Sequence, residues 1–219
     1  MRNKKREKLM FNKSFIPHSF NQVLSQRLSF FLICATLLLS ACSVTQDAQF
    51  SDKKNTLSAE NNAVYAEAIA AMKSGDTENA YTLLINLINK QPNISNAHVN
   101  LGIIFITKKS FNQAENSLNL ALKINPNNIY ALNQLGFIYR KNGAFSKAKA
   151  SYEKAININY DYANAHLNLG ILYDLYMYDF ERAIEQYKIY SELSKDKDKK
   201  INKWIVDLER RLKKSVSAK

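Results

Sequence analysis

Apolar positions set the first structural expectation. From residue 61 to about residue 197 they recur at helical spacing in blocks that repeat every 34 residues. Such a period predicts a stacked array, because a unit this small cannot bury its own apolar face and must cover it with a neighbour. Three near copies show the period directly: "NAHVNLG" at 96–102, "YALNQLG" at 130–136 and "NAHLNLG" at 164–170. Set in register, the units run 61–94, 95–128, 129–162 and 163–197, the last carrying one extra residue within "DLYMYDFERA".

Counting places from the start of each unit, the third unit holds Leu135, Gly136, Tyr139, Gly143, Ala148, Tyr152 and Ala155 at places 7, 8, 11, 15, 20, 24 and 27. Places 4, 7, 8 and 11 share one face of a first helix, and small residues at 8, 20 and 27 let a second helix approach closely. Gly75 and Gly143 fall where the first helix must stop and turn. Pro92 and Pro126 end the second helix, whose hydrogen-bond ladder they cannot continue. Beyond the units, Ile201, Trp204, Ile205, Leu208 and Leu212 form a single apolar stripe that predicts a helix closing the array within 198–219.

This pattern resembles the tetratricopeptide repeat over residues 61 to about 197. The resemblance implies an all-α fold, a right-handed α-α superhelix of four repeats with a C-terminal capping helix, and a function in binding other proteins. Two departures predict local repacking without a change of fold. Place 4, aromatic in the family, holds Val64, His98, Leu132 and His166, and place 32 of the third unit holds Tyr160.

The amino-terminal 41 residues carry a different pattern. Arg2, Lys4, Lys5, Arg6, Lys8, Lys13 and Arg27 precede "LSFFLICATLLLSAC", the basic, apolar and small-residue order of a secretory signal. Its end, Leu39-Ser40-Ala41-Cys42, resembles the lipobox of bacterial lipoproteins, which implies cleavage before Cys42 and acylation of that residue. Ser43 follows in place of the Asp that retains such proteins in the inner membrane, so the resemblance implies the periplasmic face of an outer membrane. Residues 42–60 read as a polar tether, and Met10 offers an alternative start. With Cys34 removed and Cys42 acylated, no thiol is left for a disulfide.

Charge then loses most of its apparent meaning. The formal net charge is +12, but residues 1–41 hold seven Lys/Arg against one Glu, and residues 194–219 hold ten against four Asp/Glu. Residues 42–193 balance at fourteen of each, which removes the case for nucleic acid as the partner. The basic side of the closing helix, with Lys203, Arg210, Arg211, Lys213 and Lys214, reads either as a solvated face or as a contact for anionic lipid or an acidic protein.

Candidate binding residues follow from the register. Places 2, 6, 9 and 13 form a second stripe on each first helix, and in the family this stripe lines a concave groove. Here it supplies Asn96, Asn100 and Ile103, then Tyr130, Gln134, Phe137 and Lys141, then Asn164, Asn168 and Ile171. Amides both donate and accept, which suits the backbone of an extended peptide, and place 9 suits its apolar side chains. The two-charge grip of chaperone-binding repeats is absent, since place 5 holds Tyr65, Val99, Asn133 and Leu167.

His98 and His166 stand two repeats apart on the inward face with no Cys nearby, which reads as packing, so no metal or other cofactor is expected. A Gly-rich phosphate loop, Gly-x-Ser-x-Gly and His-Glu-x-x-His are all missing, so no catalytic residues are expected. The expected role is a non-enzymatic scaffold with a protein or peptide partner. It would serve an envelope machine of the energy-transducer, proton-channel or pilus-assembly kind, or act as an adaptor for peptidoglycan-remodelling enzymes.

Overall fold

A computed structural model describes residues 58–194 and 199–217. The expected signal segment and Cys42 lie outside these residues, as does the tether up to residue 57. All described residues fall within one compact unit, Leu57–Lys219.

The elements are helical, and among the described residues there is no strand. They are α1 (Ala59–Ser74) and α2 (Thr77–Lys90), α3 (Ser95–Thr107) and α4 (Phe111–Ile124), α5 (Ile129–Lys141) and α6 (Phe145–Ile158), α7 (Ala163–Leu172) and α8 (Phe180–Leu193), then α9 (Lys199–Ser217). Each odd-numbered helix up to α7 packs on the even-numbered helix that follows it, and each pair packs on the next, so the fold is a stack of four helix pairs closed by α9. No described helix is long and apolar enough to cross a membrane.

Small residues decide how closely the pairs approach. Ala80, Ala114, Ala148 and Ala183 are completely buried, as are Leu84, Leu118, Tyr152 and Tyr187 one turn further along the same helices. Gly136 has no room for even a methyl group, since a Cβ there would lie 2.5 Å from Cε1 of Tyr152. The equivalent gaps are 2.8 Å at Gly102, against Leu118, and 2.7 Å at Gly170, against Tyr187. Burying each large side chain at this seam contributes about 1.5–3 kcal/mol.

Helix ends follow local chemistry. Ser58, Asp76, Asn128 and Asp179 are N-caps whose side chains accept from backbone N–H groups of the first turn, so α1 starts at Ala59, two residues ahead of the first unit's expected start. Between the two helices of each pair one residue takes the left-handed conformation: Gly75 at φ 85°, Lys109 at 61°, Gly143 at 76° and Tyr178 at 56°. The extra residue of the fourth unit is absorbed just before this turn, where α7 continues as a π turn over Tyr173–Met177. A π turn holds one more residue per turn, so Tyr178 reaches the position that glycine holds in the third pair.

Tyr160 replaces proline without altering the backbone. Gln91, Asn125 and Asn159, the residues closing α2, α4 and α6, have φ of −142°, −135° and −144°. The Asn125 and Asn159 side chains each accept from the backbone N–H two residues on, at 3.0 Å, an Asx turn that holds the extended cap with or without proline behind it.

The closing helix sits as its stripe predicts. Ile201, Ile205 and Leu208 are buried, and the Trp204 ring lies 5.6 Å from the Tyr187 ring of α8.

Candidate functional site: the exposed face of the first helices

The first-helix stripe divides into a spent part and an open part. Asn100 Nδ2 donates to the Tyr65 phenol oxygen at 2.9 Å, and Asn168 Nδ2 donates to Asn133 Oδ1 at 2.9 Å. Both bonds join place 6 of one repeat to place 5 of the repeat before it. Gln134 lacks this bond because the preceding place 5 is the apolar Val99. All three amides are buried and present little to a partner, and Asn100 and Asn168 tie helices together.

Place 9 closes progressively along the stack. Ile103 is half-buried, Phe137 is buried and Ile171 is completely buried. The Phe137 ring is roofed by cations, with the Arg140 guanidinium 5.5 Å and the Lys141 ammonium 5.9 Å from its centre. Asn100, Gln134, Phe137, Asn168 and Ile171 therefore do not offer open side chains, as the sequence register alone suggested. Successive first helices touch one another, and that contact consumes the middle of the stripe.

What stays open are its two edges. Asn96 is exposed, while Tyr130 and Asn164 are half-buried. The Tyr130 and Tyr162 rings meet edge to face at 5.4 Å, and Asn96 Oδ1 accepts from Asn128 Nδ2 at 2.9 Å. Burial pushes the Tyr65 phenol up to about 12, with the Asn100 bond opposing it. Burial also raises Tyr162, and to a smaller structural depth Tyr130, so these hydroxyls stay neutral donors and acceptors at ordinary pH. At the other edge, place 13 exposes Lys73, Thr107 and Lys141. Places 2, 6, 9 and 13 carry no acidic residue in any repeat.

The histidines serve the stack. His98 Nε2 lies 2.9 Å from the Pro92 carbonyl oxygen, and His166 Nε2 lies 2.9 Å from that of Tyr160. In both cases place 4 bonds to place 32 of the preceding repeat, and His166 Nδ1 also meets the Gln186 side chain at 2.8 Å. Among the described residues, no three His, Cys, Asp or Glu side chains converge as a metal site.

Two functional-looking side chains escaped the sequence reading. Arg140 and Asp174 occupy place 12 of adjoining repeats, and each is almost fully buried. Asp174 Oδ2 accepts from the Tyr187 hydroxyl at 3.2 Å, and the Arg140 guanidinium sits 5.5 Å over the Tyr176 ring of the π turn. A charged residue of each sign at one inward place of neighbouring repeats was the available signal.

This helix-pair stack is the architecture of a tetratricopeptide-repeat protein, and family models of that repeat match residues 95–128, 118–150 and 136–174. Residues 95–174 are thus similar to tetratricopeptide repeats. Among solved structures, the chain is similar to PilF of Pseudomonas aeruginosa, with 20% identity, TM-score 0.64 and coverage of 71% of this chain and 70% of that one. It is similar to MamA of Desulfovibrio magneticus at 19% identity and TM-score 0.54, over 71% and 98% of the two chains. It also matches a Thermobaculum terrenum O-GlcNAc transferase at 21% identity and TM-score 0.57, over 61% of this chain and 26% of the enzyme. At these identities the likeness concerns the fold alone. No curated protein sequence matches the chain.

Proposed function

We propose that the protein is a non-enzymatic scaffold that holds an extended peptide segment of a protein partner along the first-helix face. The observation that carries this reading is the acid-free open stripe. Asn96, Tyr130 and Asn164 supply neutral hydrogen-bonding groups on one edge, Ile69 and Ile103 remain half-buried beside them, and Lys73 and Lys141 stand on the other edge. Such a surface suits a neutral or acidic segment with apolar side chains and disfavours a basic one. The amino-terminal signal pattern and the Leu39–Cys42 lipobox support placement at the periplasmic face of an outer membrane through lipid on Cys42. In that setting the partner belongs to an envelope machine.

The test uses charge reversal at exposed positions that leave the core intact. Full-length protein carrying Lys73→Glu, Thr107→Glu and Lys141→Glu is compared with the parent in a cross-linked pull-down, with circular dichroism confirming the helices. The proposal expects the reversed protein to lose its main partner; retention of the same partners in the same amounts overturns the binding face. Separately, Cys42→Ala should release the protein from the outer-membrane fraction, and unchanged fractionation overturns the lipid anchor.

A further inference from the structure

We infer that the outward face of α9 is a docking surface for an anionic lipid bilayer, separate from the first-helix face. Among the described residues, net charge is segregated on this one helix. Residues 58–194 hold twelve Lys/Arg and twelve Asp/Glu, whereas residues 199–217 hold seven and two. The four helix pairs are thus electrically balanced, and the excess of positive charge among the described residues belongs to the cap.

Within α9 the charge is again sorted. Ile201, Ile205 and Leu208 are buried against the array, and the opposite side exposes Lys200, Lys203, Val206, Arg210, Lys213 and Lys214. Both acids are engaged in ion pairs, and the Asp207 side chain is largely covered. Asp207 lies 2.9 Å from Arg210 and from Arg211, and Glu209 lies 2.9 Å from Lys188 of α8. None of the fully exposed residues on this side of α9 is acidic.

Geometry favours a planar polyanion over a single bound anion. From Lys200 to Lys214 the cations are spread over about 21 Å of helix rise, too far apart to converge on one phosphate. Val206, 64% exposed, stands in the middle of the stripe with Lys203 and Arg210 on either side. That is the arrangement of an interfacial helix, whose apolar side chain enters the headgroup layer while flexible basic side chains reach phosphates around it.

Vesicle co-sedimentation tests this. Full-length Cys42→Ala protein, which removes the acylation residue, is mixed with phosphatidylcholine vesicles or with vesicles containing phosphatidylglycerol, at low and high salt. Each cation near an anionic surface changes partitioning about fivefold at low salt. Binding should therefore favour the anionic vesicles, weaken with salt, and fall by about a hundredfold at low salt in Lys203→Glu/Arg210→Glu/Lys213→Glu. Val206→Asp should weaken it further, while helix content stays at the parent level. The amino-terminal segment is the same in every variant, so its own affinity cancels in the comparison. Equal partitioning of parent and charge-reversed protein overturns the inference, as does binding to duplex DNA with no preference for anionic over neutral vesicles.

Discussion

Gly136→Ala separates packing from helix propensity by sign. Alanine is the better helix former by about 0.8–1.0 kcal/mol, so a helix-interior Gly136 should be stabilised by the change if nothing else mattered. The added methyl, however, would lie 2.5 Å from Cε1, 2.7 Å from Cδ1 and 2.8 Å from Cζ of Tyr152. Carbon atoms want about 3.5–4.0 Å, so the ring must move by roughly an ångström. It has nowhere to go, because Tyr152 is completely buried and Ala148 and Ala155 beside it are too. Forcing methylenes into such a core costs about 1–3 kcal/mol, and an overlap on three ring atoms belongs at the upper end. The net expectation is destabilisation by about 1–2 kcal/mol. At roughly 2–4 °C per kcal/mol for a domain of this size, the melting midpoint should fall by about 2–8 °C. Urea and thermal unfolding followed by circular dichroism measure it, with Ala150→Gly on the exposed side of α6 as the propensity control. If Gly136→Ala raises the midpoint, the close approach of α5 and α6 described above is wrong.

Three further outcomes follow from local chemistry. Asn128 is buried, accepts from the N–H groups of Tyr130 and Ala131, and donates to Ser95 Oγ and Asn96 Oδ1. Asn128→Ala should therefore cost about 2 kcal/mol in urea denaturation, more than Ser58→Ala at the exposed first cap, which should cost about 0.5–1 kcal/mol. Lys109→Gly removes a side chain from a backbone at φ 61° and should raise the melting midpoint by the equivalent of about 1 kcal/mol; no gain would mean that the turn holds no strain. Tyr65, raised from 10.0 to about 12, keeps its proton in the fold after the unfolded chain has lost it. Its contribution is complete below pH 10.0 and is lost as the pH climbs towards 12, so stability should fall across that interval, and less steeply in Tyr65→Phe. Phenolate absorbance tracks the titration.

The stack was legible in the chain because its determinants are steric and recur at fixed places. A Gly or Ala at place 8 facing a Leu or Tyr at place 24, with a small residue at place 20 beside it, leaves one way for two helices to meet, and Ile201, Trp204, Ile205 and Leu208 admit one face for the cap. Bonds between repeats were less legible. Asn100 reaches Tyr65 and Asn168 reaches Asn133 across 35 residues, and only the stacked geometry shows that these amides serve the neighbouring helix. The left-handed turns at Lys109 and Tyr178 were hidden because glycine, the usual marker, is missing there. The π turn was visible only as one surplus residue, which says where the register slips but not how the backbone absorbs it. For the candidate site, the sequence register placed a stripe on the first helices but could not tell its spent middle from its open edges, since burial there depends on how closely successive first helices approach.

Site-specific photo-cross-linking tests the scaffold reading most directly. A photoreactive residue is placed in the full-length protein, in its native envelope, either on the first-helix face at Asn96, Thr107 or Lys141, or on the outer side of second helices at Asn112, Lys123 or Lys154, all exposed positions. The three first-helix positions should yield a covalent adduct with one and the same partner, and the second-helix positions should not. Adducts arising only from Asn112, Lys123 and Lys154 would contradict the scaffold reading.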